Sequence, residues 1–283
     1  VEELLAAGHT VLGLTRSDDG ARRLAALGAE AHRGDLDDLD SLRRGAEKAD
    51  GVIHTAFNHD FSKFAENCAA DRRVIEAIGD VLTGSDRPFV VTSGIGILSA
   101  AGRLLTERDL PDYQSSATPR TATEAALDAV TTRGVRAGVV RLPPSVHDAG
   151  DHGFLPILIG LARQKGVAAY AGEGLNRWPA VHRPDAAKVY RLALENCEAG
   201  ARYHAVAEEG IAFRAIAEVI GKGLGLPVTA LDGEKAKEHF GWFAHFATID
   251  VPASSQWTRG TLGWNPTGPG LIADLDSPAY FPA

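Results

Sequence analysis

The sequence predicts an α/β protein built on a doubly wound parallel sheet. Short apolar runs alternate with amphipathic segments through the first half of the chain, a pattern typical of parallel strands joined by right-handed helical crossovers. The clearest run is Arg87 to Gly96, where apolar residues end in small polar residues and glycines. A strand buried on both faces of a parallel sheet has this pattern, and its carboxyl end would face a ligand crevice.

The segments of the first half can be assigned in order. Val1 to Gly8 reads as the end of a helix, so we expect the sequence to begin inside one. Five strands are predicted, at residues 9–15, 28–34, 51–57, 88–93 and 135–142. Four helices are predicted between them, at residues 18–27, 39–48, 61–82 and 119–133. On the helix 61–82 we expect Asp71 to face solvent beside Arg72 and Arg73.

Beyond Pro143 the regular alternation of strand-like and helix-like segments ends. Helices are predicted at residues 154–165, 184–195 and 211–224, and strands at 168–170 and 201–206, followed by an irregular tail. We therefore predict a first domain over residues 1–145 and a smaller substrate-binding lobe over 146–283, of which about 184–207 returns to the first sheet.

Composition excludes several classes of function. The 283 residues are 45% apolar and 23% charged, which are ordinary values for a globular protein. A net charge of −8 without a Lys/Arg cluster argues against nucleic-acid and anionic-membrane partners. Cys68 and Cys197 stand far apart, which argues against a disulfide and a thiolate metal site. With neither an 18-residue apolar stretch nor a signal sequence in view, we expect a cytoplasmic protein that binds a small molecule.

Seven short motifs follow the predicted elements in order. They are Thr15-Arg16-Ser17, Gly34-Asp35-Leu36, His54-Thr55-Ala56, Val90-Val91-Thr92-Ser93, Arg141-Leu142-Pro143-Pro144, Val181-His182-Arg183-Pro184-Asp185 and Leu262-Gly263-Trp264-Asn265-Pro266. Together they resemble an extended or atypical short-chain dehydrogenase/reductase of the NAD-dependent epimerase/dehydratase group. The resemblance covers essentially the whole chain and implies a Rossmann fold. It also implies that a strand and a Gly-x-x-Gly-x-x-Gly turn, which grips a pyrophosphate, precede Val1.

The resemblance implies a cofactor and the residues that contact it. In the family an acid after the second strand binds the ribose 2′-hydroxyl and an arginine accommodates a 2′-phosphate, so Arg16 favours NADP(H), with NAD as the alternative. The other interpretation of Arg16 is an exposed charge beside a turn. Asp35 resembles an adenine contact, but alone it would be the cap of the next helix. The full set of predicted cofactor contacts is Thr15, Arg16, Ser17, Asp35, Leu36, Ala56, Phe57, Thr92, Pro143, Ser145 and Val146.

Catalysis is where the sequence departs from the family. Relatives use a tyrosine with a lysine four residues on, but this chain carries Arg120 and Glu124 at those positions, and Gly94 or Gly96 replaces the usual serine. Arginine keeps its proton at every accessible pH and cannot replace the tyrosine as an acid. One interpretation is an i,i+4 ion pair on the helix surface. The other is a site pair, in which Arg120 holds an anionic or carbonyl substrate and Glu124 handles protons.

Three further residues complete the predicted catalytic set. Ser93 lies close to the lost serine, and Tyr113 lies in a loop before the Arg120 helix, where packing is the alternative role. His147 follows the fifth strand, and we expect it or His152 to act as an acid/base, a role for which histidine is suited. His147, Asp148, Asp151 and His152 are residue types that can bind a metal ion, but their irregular spacing argues against a metal site. We expect His182 and Asp185 to be structural, with Asp185 capping the following helix.

Three functions remain open. The first is an NADP(H)-dependent oxidoreductase of atypical mechanism acting on a small carbonyl or alcohol. The second, suggested by the missing tyrosine and lysine, is a catalytically silent dinucleotide sensor resembling NmrA-like regulators. The third is a nucleotide-sugar epimerase or dehydratase, which the missing tyrosine disfavours. Family relatives commonly form homodimers through the two helices that here are residues 61–82 and 119–133.

Overall fold

The computed structural model describes residues 1–115 and 117–281, so Ser116 and the last two residues of the predicted lobe lie outside it. The elements of the first half are α1 (Glu2–Ala6), β1 (Leu12–Thr15), α2 (Asp18–Ala26), β2 (Glu30–Arg33), α3 (Leu39–Glu47), β3 (Val52–His54), α4 (Phe64–Leu82), β4 (Phe89–Gly94), α5 (Thr121–Thr132) and β5 (Ala137–Leu142). Those of the second half are β6 (Ser145–His147), α6 (Phe154–Lys165), β7 (Ala168–Ala171), β8 (Arg177–His182), α7 (Arg183–Glu195), β9 (Arg202–His204), β10 (Glu208–Ala212), α8 (Phe213–Leu224), β11 (Val228–Leu231), α9 (Gly233–Phe240), α10 (Ala244–Thr248), α11 (Gln256–Leu262) and α12 (Leu271–Leu275).

The chain divides into two compact units of nearly equal length. The first consists of Val1–Ser93, Pro111–Arg141 and Ala187–Tyr203, and the second of Gly94–Leu110, Leu142–Ala186 and His204–Ala283. Residues 94–110 thus belong to the second unit although they precede residue 145. No described helix has the length and apolar character needed to cross a membrane.

The first unit contains the predicted parallel strands. β1 pairs with β2 in parallel, and β3 pairs with β4 in parallel within a four-stranded sheet of order β3-β4-β5-β9. The α/β prediction with a parallel sheet is therefore confirmed. β9 joins this sheet beside β5, as predicted for the strand at residues 201–206.

An apolar stripe on α4 packs against α5. Val74 and Ile75 of α4 are buried with Leu127 and Val130 of α5 in one core cluster. Asp71 precedes Val74 by three residues and Ile75 by four, so it lies on the same face of the helix. It is only 5% exposed, and the expectation that it faces solvent is wrong.

Arg87 closes the ends of two helices. Its Nη1 donates to the carbonyl of Ala46 (2.9 Å) in the last turn of α3 and to that of Ala49 (3.0 Å), two residues past this helix. Its Nη2 donates to the carbonyl of Val81 (3.0 Å) at the end of α4. Carbonyls at a helix C-terminus have no partner within the helix. One side chain just before β4 therefore hydrogen-bonds to carbonyls at the ends of both helices.

The second unit is organised around aromatic side chains. Trp178 of β8 is fully buried beside Phe213 and Phe243. β8 pairs in parallel with β6 and antiparallel with β10, while β7 pairs in parallel with β11. The tail was expected to be irregular, but it forms α9, α10 and α11, because Phe240 and Phe243 give this segment apolar anchors in the core.

Asp185 binds the C-terminal segment of the second unit. It is 1% exposed, and its Oδ2 accepts hydrogen bonds from the backbone N–H groups of Thr267 (2.9 Å) and Gly268 (2.6 Å). Its side chain thus holds a distant loop in addition to lying in the first turn of α7.

Candidate functional site

Two charged side chains meet where β1 and β2 end. Arg16 follows β1, and its Nη1 lies 3.7 Å from Oδ2 of Asp35, which follows β2. The side chain of Arg16 is 78% exposed and that of Asp35 is 38% exposed. The interpretation of Asp35 as a helix cap is wrong, because the cap of α3 is Asp38, whose Oδ1 accepts from the N–H of Ser41 at 3.1 Å.

The neighbours of Arg16 have local roles. Ser17 caps α2, since its Oγ accepts a hydrogen bond from the N–H of Gly20 at 3.0 Å. Thr15 Oγ1 accepts from the N–H of Ser17 at 3.4 Å and so tightens the turn. Leu36 packs against the core cluster of the first unit. These residues leave Arg16 projecting from an ordered turn.

A group of buried polar residues lies where β3 and β4 end, and we call it the Asp71 cluster: His54, Asp71, Arg120 and Thr123. Asp71 Oδ1 is 2.8 Å from His54 Nε2. Asp71 Oδ2 accepts hydrogen bonds from Arg120 Nη1 (2.7 Å) and Thr123 Oγ1 (2.6 Å). Burial raises the pKa of Asp71, but the hydrogen bond from His54 and the positive charge of Arg120 outweigh it, and the pKa falls below its usual value.

Arg120 is held on three sides. Besides Asp71, its Nη2 donates to the backbone carbonyl of Thr92 at 3.0 Å, and its Cζ lies 3.9 Å from the centre of the Phe57 ring. Its side chain is 14% exposed. A guanidinium carries five N–H donors, and among the described residues only two of them have a partner.

Thr92 and Ser93 complete this end of β4. Thr92 Oγ1 donates to the carbonyl of His54 (2.8 Å) and lies 2.7 Å from the hydroxyl of Tyr190. Ser93 Oγ is buried and has no hydrogen-bond partner within the described residues. Burial and the charge of Arg120 lower the pKa of nearby His59.

Glu124 belongs to a different group, the Glu124 cluster: Glu124, Asp128, Arg141 and Arg202. Arg141 donates from Nε to Glu124 Oε1 and from Nη2 to Oε2, both at 2.7 Å, and Arg202 Nε donates to Oε2 at 3.1 Å. Glu124 and Arg141 are fully buried. Glu124 does not pair with Arg120, so the prediction of an i,i+4 ion pair on the helix surface is wrong. Both oxygens of Glu124 accept hydrogen bonds from arginines and the side chain is fully buried, which argues against the predicted proton-handling role.

Tyr113 is part of the surroundings of the Glu124 cluster. Its hydroxyl donates to Asp128 Oδ2 at 2.7 Å and accepts from Arg202 Nη2 at 3.1 Å. Burial and the hydrogen bond to Asp128 raise the pKa of Tyr113 to about 12. Asp128 follows Arg120 by eight residues, or about 12 Å of helix, so Tyr113 does not join the Asp71 cluster.

The remaining predicted residues lie in the second unit. Pro143 precedes β6, and Ser145 and Val146 in β6 align with Ala180 and Val181 of β8. His147 is fully buried, with Nδ1 at 2.7 Å from Asp274 Oδ2 and Nε2 without a partner among the described residues.

Side-chain hydrogen bonds hold the loop after His147. Asp148 Oδ2 accepts from Arg183 Nη2 at 2.8 Å, and Asp151 Oδ1 accepts from the N–H of Gly153 at 2.6 Å. Across residues 1–115 and 117–281, no group of three or more His, Cys, Asp or Glu side chains is arranged to hold a metal ion.

Sequence reasoning missed the centre of the Asp71 cluster. Asp71, His54, Thr123 and Tyr190 were not predicted to lie in a site. For Asp71 a signal was available, because an acid on the apolar stripe of α4 must find partners when it is buried. The pairing of Arg120 with Asp71 joins residues 49 positions apart and has no local signal.

The chain matches several known proteins. Residues 1–207 match the model of the NAD dependent epimerase/dehydratase family. An uncharacterized protein of Schizosaccharomyces pombe is 51% identical, over 99% of this chain and 95% of that protein. One of Saccharomyces cerevisiae is 43% identical, over 97% of this chain and 92% of that protein.

Solved structures share the fold at low sequence identity. A dTDP-glucose 4,6-dehydratase double mutant from Streptomyces venezuelae, solved with NAD bound, has a TM-score of 0.74 at 18% identity, covering 99% of this chain and 91% of that one. A nucleoside-diphosphate-sugar epimerase from Pseudomonas aeruginosa has a TM-score of 0.75 at 18% identity, covering 96% and 89%.

Proposed function

The chain belongs to the NAD-dependent epimerase/dehydratase family, and on that premise we propose that it is an NAD(P)(H)-dependent oxidoreductase acting on a small carbonyl or alcohol, with a preference for NADP(H). The observation that supports the nucleotide preference is the position of Arg16, exposed at the end of β1 beside Asp35 at the end of β2. In parallel α/β sheets, ligands bind outside the carboxyl ends of the strands.

The residues at these strand ends fit the nucleotide. The 3.7 Å separation from Asp35 exceeds hydrogen-bond distance, so the guanidinium of Arg16 can bind a 2′-phosphate through two parallel hydrogen bonds. The carboxylate of Asp35 can accept a hydrogen bond from the adenosine part. Ala56 and Phe57 follow β3, and Thr92 lies near the carboxyl end of β4, in the four-stranded sheet. When bound, the nicotinamide donates or accepts the hydride.

The chain itself would orient the substrate. Arg120 stands where relatives carry their tyrosine, and because it keeps its proton it can hold a substrate oxygen but cannot donate a proton. Ser93, whose hydroxyl has no partner among the described residues, is the proposed hydroxyl contact of this site. In this proposal Glu124 and Tyr113 contribute only to stability.

Nucleotide binding tests the proposal directly. We expect NADPH to bind the purified protein more tightly than NADH, measured by quenching of protein fluorescence and by calorimetry. Arg16→Ala should weaken NADPH binding by roughly 10-fold or more while changing NADH binding less than about twofold, because a hydrogen bond to a charged group contributes about 1.5–3 kcal/mol.

Arg22→Ala is the matched control, since Arg22 on α2 is similarly exposed at 72% but pairs with Asp19 instead of Asp35. It should leave both affinities unchanged. Equal loss of NADPH and NADH binding in Arg16→Ala would contradict the assigned role of Arg16. Failure of both nucleotides to bind the parent protein would contradict the proposed function.

A silent NADP(H) sensor is the second candidate. It is favoured by Arg120, which replaces the acid that hydride transfer to a carbonyl uses in relatives. Incubation with NADPH and a panel of aldehydes, ketones and oxo acids separates the two, with NADPH oxidation followed at 340 nm. Tight binding without turnover of any compound would favour the sensor.

A nucleotide-sugar epimerase or dehydratase is the third. The names of two similar solved structures favour it, while the missing tyrosine disfavours it. Incubation with UDP-glucose or dTDP-glucose and NAD⁺, analysed by mass spectrometry and NMR, should leave the sugars unchanged if the oxidoreductase proposal holds.

A further inference from the structure

We propose that the substrate carries a carboxylate, that Arg120 binds this carboxylate, and that Asp71 is the positioning residue that fixes Arg120 for the task. The inference rests on the proposed function, because it names the substrate class of the same site. It follows from how the hydrogen-bond donors and acceptors of the Asp71 cluster are used.

The donors of Arg120 are only partly used. One Nη1–H binds Asp71 and one Nη2–H binds the carbonyl of Thr92, while the other three N–H groups have no partner in the part of the chain that the structure describes. The side chain is nevertheless only 14% exposed. No nitrogen of Arg120 is among the buried side-chain atoms that lack a partner in the described residues, so its unused donors reach solvent and can bind the oxygens of a ligand.

Asp71 does not depend on Arg120 alone. Its two oxygens also have His54 Nε2 at 2.8 Å and Thr123 Oγ1 at 2.6 Å. Because these two groups share the stabilisation of the Asp71 charge, part of the positive charge of Arg120 remains for a second anion. Burial and the charge of Arg120 lower the pKa of nearby His59, which favours its neutral form.

The guanidinium also has a fixed plane. The Phe57 ring covers one face at 3.9 Å, and the bonds to Asp71 and Thr92 fix the direction of two of its nitrogens. A planar fork that is fixed in advance suits the two coplanar oxygens of a carboxylate, which bind arginine through two parallel hydrogen bonds. A single ketone oxygen would use fewer of the three open donors.

Pairs of oxo acids and their methyl esters test this inference, because the members differ in charge but share the carbonyl group. Pyruvate, acetoacetate and levulinate, each with its methyl ester, would be titrated by calorimetry into the protein saturated with NADP⁺. This readout needs no turnover. We expect at least one acid to bind about tenfold or more tightly than its ester.

Substitutions test which residues cause the preference for an acid over its ester. Arg120→Gln should abolish the acid-over-ester preference, and Arg120→Lys should restore only part of it, because lysine lacks the planar fork. Asp71→Asn should reduce the preference and raise KM for the acid more than it lowers kcat, while NADPH affinity stays unchanged. Arg72→Ala, on the exposed face of the same helix, is the control and should change neither quantity.

The outcomes are separable. Loss of NADPH binding by the parent protein would remove the proposed function itself. If NADPH binds but every ester binds as well as its acid, the carboxylate inference alone is overturned, whatever the variants do. An unchanged preference in Asp71→Asn would overturn the positioning role, and melting temperatures would show whether each variant is folded.

Discussion

Two buried charge clusters include residues one turn apart at the start of α5, Arg120 and Glu124, and they use arginine in opposite ways. In the Glu124 cluster one carboxylate accepts hydrogen bonds from two guanidinium groups, and both of its oxygens are occupied. In the Asp71 cluster the carboxylate is equally occupied, but Arg120 retains three open donors. Residue type alone therefore does not distinguish a structural ion pair from a binding group. In the proposal above, the distinction depends on how many N–H donors of the arginine have no partner within the described residues.

The largest expected effect lies in the Glu124 cluster. Glu124→Gln leaves Arg141 and Arg202 without their buried counter-charge, and removing one partner of a buried ion pair costs about 3–5 kcal/mol. We expect this loss in the free energy of unfolding, measured by urea denaturation followed by circular dichroism. Glu76→Gln, which affects an exposed pair with Arg72, should cost less than about 1 kcal/mol. Similar losses in both variants would break the comparison.

The second effect concerns Asp71 and pH. Asp71→Asn should cost about 1–3 kcal/mol at pH 7, because a buried hydrogen-bond network loses an acceptor. The pKa of Asp71 is lowered by folding, so its contribution to stability is present above the unfolded pKa of about 3.9 and is lost as the pH falls through the folded pKa. The difference between parent and variant should therefore shrink as the pH falls from about 5 toward 2. A constant difference across this range would argue against an ionised Asp71.

A substitution of Tyr113 should affect stability through the Glu124 cluster without affecting the Asp71 cluster. Tyr113→Phe removes the hydrogen bonds to Asp128 and Arg202, and we expect a loss of about 0.5–1.5 kcal/mol in the free energy of unfolding. The acid-over-ester preference of the nucleotide complex should not change. Tyr170→Phe, which retains the ring that faces Arg214, is the matched control. A changed preference in Tyr113→Phe would place this tyrosine in the site after all.

The smallest effect comes from an exposed pair between the same two helices. Arg133 Nη1 binds Asp80 Oδ1, with both side chains about half exposed. A double-mutant cycle with Arg133→Gln and Asp80→Asn should give a coupling energy below about 1 kcal/mol. A coupling of several kcal/mol would mean that exposure does not separate this pair from the buried clusters.

The sequence predicted the strands of the first unit well and their charged neighbours poorly. The runs that became β3, β4 and β5 are apolar enough to be assigned from local pattern, and the motifs after β1 and β2 led to Arg16 and Asp35. The exposed position of Asp71 was predicted from its charge, although its spacing from Val74 and Ile75 indicated burial. The partner of Glu124 could not be found locally, because Arg141 and Arg202 come from distant strands.

In the second unit the short strands were the harder problem. β6 has three residues and begins directly after a prolyl pair, and β10 carries two glutamates and a glycine. Such segments are strands because of the neighbours with which they pair, and a single sequence does not contain that information.

Arg87 couples two helix ends that are far apart in the chain. The guanidinium of Arg87 hydrogen-bonds to carbonyls at the ends of both α3 and α4. Thermal opening of one helix end therefore frees Arg87 and weakens its hydrogen bonds to the other end. Amide protons in the last turns of both helices should therefore exchange with deuterium at a common rate, as one cooperative unit. Arg87 thus makes two separate helix termini melt together.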